Sequence, residues 1–261
     1  MLAWGVELKS NRILIGLHRW YCYLVILSIF KEIYLMVHVI QPIDFDQWFI
    51  AADRWIFGVN PTQWMAQLAN PVLTEILQIA YFSYYVLFII LGVELYRRYA
   101  IEDFDKAAFL VVYGFYISYL GYFSLPGVGP RFTLHDFSML NTDLPGLFFT
   151  DTLRTIIDAG ESIPRSHLNA IDFVQRDVFP SGHTQLTIIV LSLSFRYRLK
   201  ARWLLLICGS FLIVATVYLR YHYVVDLIAG ALIASFTLRS GDKLEGWWRK
   251  TAQRLRDRKS T

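Results

Sequence analysis

The sequence predicts an all-α, polytopic membrane protein with six transmembrane helices and additional interfacial helices. Three observations carry this. Hydrophobic residues make up 56% of the 261-residue chain and mean hydropathy is +0.41, above the roughly 45–50% apolar content of soluble domains. Six long apolar runs recur, at Trp20–Ile40, Val72–Leu95, Ala107–Leu125, Gly182–Phe195, Trp203–Leu219 and Tyr223–Leu238. The basic residues gather in the segments between alternate runs. The length suits a single membrane domain over 1–261, with a catalytic core at about 53–238 and a basic tail over 239–261.

A spanning helix takes about 17–25 mostly apolar residues. The first three runs meet this, and the last three reach it by extending into their flanks. Backbone inside lipid must satisfy its own hydrogen bonds, and these runs are too long for barrel strands, so they read as helices. Met1–Arg19 has charges at Glu7, Lys9, Arg12 and Arg19 and lacks the apolar centre of a cleaved signal. Cys22 and Cys208 sit within apolar runs and read as small buried hydrophobes.

The net charge of +4 raises nucleic acid as a partner, but the placement of the charge excludes it. With the N-terminus inside, the inner segments hold Lys9, Arg12 and Arg19; Arg97, Arg98 and Lys106; Arg196, Arg198, Lys200 and Arg202; and eight more from Arg239 to Lys259. The outer segments hold only Arg54, Arg131, Arg154, Arg165, Arg176 and Arg220. By the positive-inside rule both termini are cytoplasmic, in the cell (inner) membrane. The tail, with Trp247 and Trp248, reads as an anchor on anionic lipid.

Two outer segments are long. In Phe45–Ala69, the residues Phe45, Trp48, Phe49, Ala52, Trp55 and Ile56 recur at helical spacing up to Gly58 and Pro61, as in a helix lying in the interface. Pro126–Pro180 exceeds the usual loop length of about 12–15 residues, so short helices are expected within it. Lys31 and Glu32 fall mid-span, where charge is costly, and packing is the expected reason. Glu75 and Glu94 lie near span ends, where interfacial water is expected to reach them.

Polar clusters converge on the outer face at three places: Gly129-Pro130-Arg131, Pro180-Ser181-Gly182-His183 and Arg220-Tyr221-His222-Tyr223-Val224-Val225-Asp226. The second opens a helix whose free N–H groups and dipole suit an anion. Gly182 admits close approach, Ser181 suits a cap, and His183 is placed to exchange a proton. His222 and Asp226, four apart, share a helix face. A carboxylate on one ring nitrogen leaves the other free to attack. The forks of Arg131 and Arg220 suit phosphate oxygens. The His-x-x-x-Asp spacing lacks the paired-histidine form of helical zinc sites, so neither metal nor other cofactor is expected. For any one of these residues alone, a structural hydrogen bond is the better reading; their joint spacing favours a phosphoryl-transfer site.

Pro180-Ser181-Gly182-His183, followed by His222-Tyr223-Val224-Val225-Asp226 and Gly230, resembles the type 2 phosphatidic acid phosphatase superfamily, membrane lipid phosphatases and phosphotransferases related in fold to vanadium haloperoxidases. Asp53–Pro61 and the Gly-Pro-Arg stretch resemble its inositol phosphotransferase-like branch, which includes enzymes making inositol phosphorylceramide. The resemblance implies that His222 is the nucleophile, Asp226 its orienter and His183 the general acid. It also implies that Ser181, Gly182 and Arg131 hold phosphate. Two positions depart from the family pattern. Ser124 stands where the first motif has a lysine, and Thr216 where the third has an arginine. Arg220 is a candidate replacement, and the losses fit the inositol phosphotransferase-like branch.

The function expected is therefore a metal-independent lipid phosphatase or phosphotransferase acting through a phosphohistidine on a membrane lipid. One alternative is inositol phosphorylceramide synthase-like transfer of a phospho-head group to a lipid alcohol. Another is a non-enzymatic protein that binds anionic lipid, which has no need of the His222–Asp226 pair.

Overall fold

The computed structural model describes residues 12–161, 163 and 170–259. Lys9 and Arg165, which entered the charge pattern, lie outside them. Among the described residues the regular structure is entirely helical. The helices are α1 (Arg12–Ile40), α2 (Asp46–Phe57), α3 (Pro61–Met65), α4 (Pro71–Phe82), α5 (Tyr84–Arg98), α6 (Ile101–Ser124), α7 (Pro130–Thr133), α8 (Leu140–Asp143), α9 (Thr150–Gly160), α10 (Gly182–Arg196), α11 (Arg202–Tyr218) and α12 (Val224–Lys259).

Helix α10 is the central element, packed against α5, α6, α11 and α12. It is buried on several faces, by Leu186, Ile189, Val190 and Leu193 but also by Thr184, Gln185, Thr187 and Ser194. A buried amide has to be satisfied. The Gln185 Nε2 donates to the Gly114 carbonyl at 2.8 Å, and Ser118 Oγ donates to Gln185 Oε1 at 2.6 Å, which ties α10 to α6. Around this centre α1 lies on α6, while α4 lies between α11 and α9. Large apolar side chains remain exposed along the outside, among them Leu24 and Leu35 on α1, Trp203 and Ile207 on α11, and Leu232 and Phe236 on α12. So extensive an apolar surface fits contact with lipid.

Three helical segments are long and apolar enough to cross a membrane: Gly16–Ile40, Ile101–Ser124 and Val224–Leu255. The second apolar run is two helices, α4 and α5, bent by 45° at Ser83. Ser83 Oγ donates to the Ala80 carbonyl at 2.6 Å, a side-chain bond into the helical ladder that bends helices. The fourth and fifth runs form α10 and α11, of 15 and 17 residues. At 1.5 Å per residue these are shorter than a bilayer core of about 30 Å. The sixth run continues unbroken into the basic tail as α12, of 36 residues.

The segment Phe45–Ala69 is helical where its periodicity places a helix, and that helix ends at Gly58 with φ of 73°. Trp48, Trp55 and Ile56 face outward, whereas Asp46, Phe49, Ile50 and Asp53 are buried. Among its described residues the segment Pro126–Pro180 holds α7, α8, α9 and two short 3-10 turns.

One expectation is corrected. Glu75 does not reach interfacial water; it is 6% exposed. Its carboxylate accepts from the Leu147, Phe149 and Thr150 N–H groups and from Thr150 Oγ1, so it caps the start of α9 from another helix. Glu94 takes the equivalent place before α11, accepting from the Lys200 and Ala201 N–H groups. Lys31 finds its partner in the Gly160 carbonyl at the C-terminal end of α9, where a cation suits the dipole.

Candidate active site

The start of α10 and the start of α12 meet. Ser181 N–H donates to the Asp226 carbonyl at 3.0 Å. Gly230 makes this crossing possible, because a Cβ there would lie 2.6 Å from the Ser181 carbonyl oxygen. Ser181 is fully buried, and its hydroxyl caps α10 by accepting from the Thr184 N–H at 3.2 Å, as its position implies.

The crossing brings His183 and His222 together from positions 39 residues apart, with His183 Nδ1 3.4 Å from His222 Nε2. The opposite nitrogen of His222, Nδ1, lies 3.0 Å from the Val178 carbonyl and 3.4 Å from Asp226 Oδ2. Since a carbonyl only accepts, Nδ1 carries the proton and Nε2 presents its lone pair. Asp226 shares the far side of the ring with Val178, the nearer partner. Its Oδ2 also accepts from the Tyr223 N–H at 2.8 Å. Burial, the adjacent His183 and the charge of Arg131 hold the His222 imidazole well below its ordinary pKa range, so it is neutral at physiological pH.

His183 sits between aromatic rings, with centroids 4.7 Å from Tyr81 and 4.5 Å from Tyr84. These tyrosines flank the bend at Ser83, so the break in α4–α5 wraps the chain around the histidine. Tyr81 also stacks on Tyr221 at 4.2 Å, and the Arg131 guanidinium lies 4.6 Å from the Tyr221 ring centroid. Arg131 is 4% exposed. Glu161 accepts from it, Asp158 lies 3.9 Å away, and its Nη1 is buried without a hydrogen bond.

The structure thus brings His183, His222, Asp226, Ser181 and Gly182 into one cluster, with Arg131 acting on it electrostatically. Arg220 is turned elsewhere. It is buried, with φ of 69°, and donates to Asp143 at 2.8 Å, near His135. His135 is pushed down to about 4 by burial and then by that same arginine. The two departures from the resemblance are also visible. Ser124 Oγ turns back to the Leu120 carbonyl, and Thr216 Oγ1 bonds the Ile213 carbonyl. The Thr216 carbonyl accepts from the Tyr221 and His222 N–H groups and so shapes the loop that carries His222.

Sequence reasoning missed the residues that position this cluster. Asp46 accepts from the Val128 and Gly129 N–H groups and from the Tyr223 hydroxyl, all at 2.8–2.9 Å, fixing the Gly-Pro-Arg loop. Gly129 there has φ of 93° and passes close to the Tyr221 carbonyl, where a Cβ would lie at 2.9 Å. Asp53 accepts from the Val224 and Val225 N–H groups at 2.9 and 2.8 Å, satisfying the first orphan donors of α12. Burial raises both carboxyls above their ordinary range, against the hydrogen bonds that lower them. The signal for both was their seven-residue spacing on one face of α2. Among the described residues no group of three His, Cys, Asp or Glu side chains is arranged to hold a metal ion.

The comparisons with known proteins agree with the motifs. The chain is 25% identical over 201 residues to a PA-phosphatase related-family protein of Dictyostelium discoideum, an alignment covering 70% of this chain and 34% of that one. The chain therefore spans about a third of that relative's length. No solved structure matches it. The sequence profile of the PAP2 superfamily matches residues 47–239, from the buried face of α2 through the His222–Asp226 helix, and on that match the chain belongs to the PAP2 superfamily.

Proposed function

We propose that the chain is a membrane enzyme that takes the phosphoryl group from a lipid phosphate by way of a phosphohistidine at His222. The observation that carries this is the buried pair itself. A neutral His222 presents Nε2, its far nitrogen is held by Val178 and Asp226, and His183 is the adjoining group. In the first step Nε2 attacks phosphorus as the phosphorus–oxygen bond to the lipid breaks, and His183 gives its proton to the departing oxygen. In the second, an acceptor hydroxyl attacks phosphorus, His183 takes its proton, and the phosphorus–nitrogen bond breaks. The His183–His222 contact must open for phosphorus to reach Nε2.

The Gly182 and His183 N–H groups at the start of α10 suit two phosphate oxygens, with Ser181 holding the helix start. Arg131 is the principal cation; Arg220 serves only by exchanging Asp143 for phosphate. The reaction needs no metal in this scheme. Superfamily membership and the name of the Dictyostelium relative, a PA-phosphatase related-family protein, support lipid phosphate as the substrate class. A non-enzymatic lipid-binding role leaves the ordered His222 ring without a purpose.

Water as acceptor makes a phosphatase; with a phospholipid as donor, whose head group stays on phosphorus, a lipid alcohol as acceptor makes an inositol phosphotransferase-like enzyme. The second reading is favoured by the acidic and amide side chains in the cavity beside His183. For topology we propose six spans, with α4–α5 as one bent span, both termini cytoplasmic and the histidines near the outer face; the asymmetry of basic residues supports it. The test is a panel of lipid phosphates and phospholipids given to purified protein in excess chelator, with and without alcohols. Released phosphate identifies a phosphatase and a new head-group lipid a transferase. Absence of both with every substrate overturns the proposal.

A further inference from the structure

A cavity of about 410 Å³ opens beside His183. One part is aromatic, with Trp20 and Phe88 in its wall; the other holds Glu161, Gln175, Asp177 and His183. Among the described residues its lining includes neither lysine nor arginine. Gln175 is 3% exposed, and both its Nε2 and its Oε1 are buried without a hydrogen-bond partner. A buried amide with neither end satisfied costs free energy that a bound ligand recovers. Gln175 has no role in the phosphoryl-transfer steps, and the same cavity carries the group that exchanges the proton.

We infer that this cavity is the subsite for the lipid alcohol, the leaving or accepting partner, and that Gln175 and Asp177 recognise a second hydroxyl next to the reacting one. The inference rests on the phosphoryl-transfer reading of the histidines. An aromatic wall suits an alkyl chain. A hydroxyl donates and accepts, and the unpartnered Gln175 amide has one of each to offer once its side chain turns toward the ligand. Asp177 adds a carboxyl, which burial and the charge of Glu161 push up to about 7, so that near neutral pH it also works in both directions. Glu161 is already engaged by Arg131, which leaves Gln175 and Asp177 as the remaining amide and carboxyl groups of the lining.

Binding tests this without turnover. The full chain in detergent is titrated with a labelled long-chain vicinal diol and with the mono-ol of equal chain length. Wild type should bind the diol about tenfold more tightly, the effect of two neutral hydrogen bonds. Gln175→Met, which keeps the length and removes the amide's two bonds, should reduce the diol preference severalfold. If that variant does not fold, Asp177→Ala carries the same comparison. Equal affinity of wild type for both alcohols overturns the inference, as does an undiminished preference in a folded variant. A diol preference in a protein that never transfers phosphoryl groups sinks the catalytic reading and leaves the subsite standing.

Discussion

Replacing Gly230 with alanine probes the site without touching a reacting atom. The added Cβ would stand 2.6 Å from the Ser181 carbonyl oxygen, 3.3 Å from Gln185 N and 3.4 Å from Thr184 Cβ. Two of these are backbone atoms of α10, so no flexible side chain can yield. Restoring ordinary contact moves α10 and α12 apart by about 0.8 Å, an overpacking that costs about 1–3 kcal/mol. The movement lengthens the 3.0 Å bond from Ser181 N–H to the Asp226 carbonyl and the 3.4 Å approach of His183 to His222. Misplacement of about 1 Å at a reacting centre lowers turnover about a hundredfold. The expected result is a fall in kcat of that order with a modest loss of thermal stability in detergent. Gly246→Ala is the control, since a Cβ there meets nothing within 4 Å; its activity should match wild type. Wild-type kcat in Gly230→Ala would refute the claim that this crossing sets the histidine geometry.

Two other substitutions have defined outcomes. Asp53→Ala leaves the Val224 and Val225 N–H groups without their partner and should destabilise the protein by about 1–3 kcal/mol, read from thermal unfolding in detergent; an unchanged midpoint would show that the cap is dispensable. Asp177 is raised to about 7 in the fold from an ordinary 3.8, so the native state binds the extra proton. The contribution of this group to stability is fully present below about 4 and is lost as pH rises toward 7. The shift corresponds to at most about 4 kcal/mol. Asp177→Asn should flatten that part of the unfolding profile, and an identical slope in the variant would contradict the assignment.

The histidine cluster was legible because its motifs are local. Ser181, Gly182 and His183 are consecutive at a helix start, and His222 and Asp226 are one turn apart. Capping and helical periodicity apply directly to such spacings, and the structure puts both groups at one crossing. The helix Asp46–Phe57 was legible for the same reason, through Trp48, Trp55 and Gly58. The framework was not. Asp46 and Asp53 act on Gly129 and Val224, partners 83 and 171 residues away, and acids on an amphipathic helix read as its watery face. Glu75 was misplaced by the same logic, because its partners are backbone groups that no side-chain pattern announces. The run Val72–Leu95 looked continuous because Ser83 and its tyrosines are apolar enough not to interrupt hydropathy, while a serine hydroxyl suffices to bend the backbone. Gln175 gave no signal at all, since its interest lies in lacking partners within the fold.

The identity of the nucleophile is the central claim, and rapid-quench trapping with a labelled lipid phosphate tests it most directly. Wild type should accumulate an acid-labile, base-stable phosphoryl label on a peptide containing His222. His222→Ala should carry none, and Asp226→Asn should form it more slowly with little change in substrate binding. His183→Ala should be most impaired with a lipid alcohol as leaving group and least with an activated aryl phosphate. Label that persists in His222→Ala, or that maps to His183, would contradict the account.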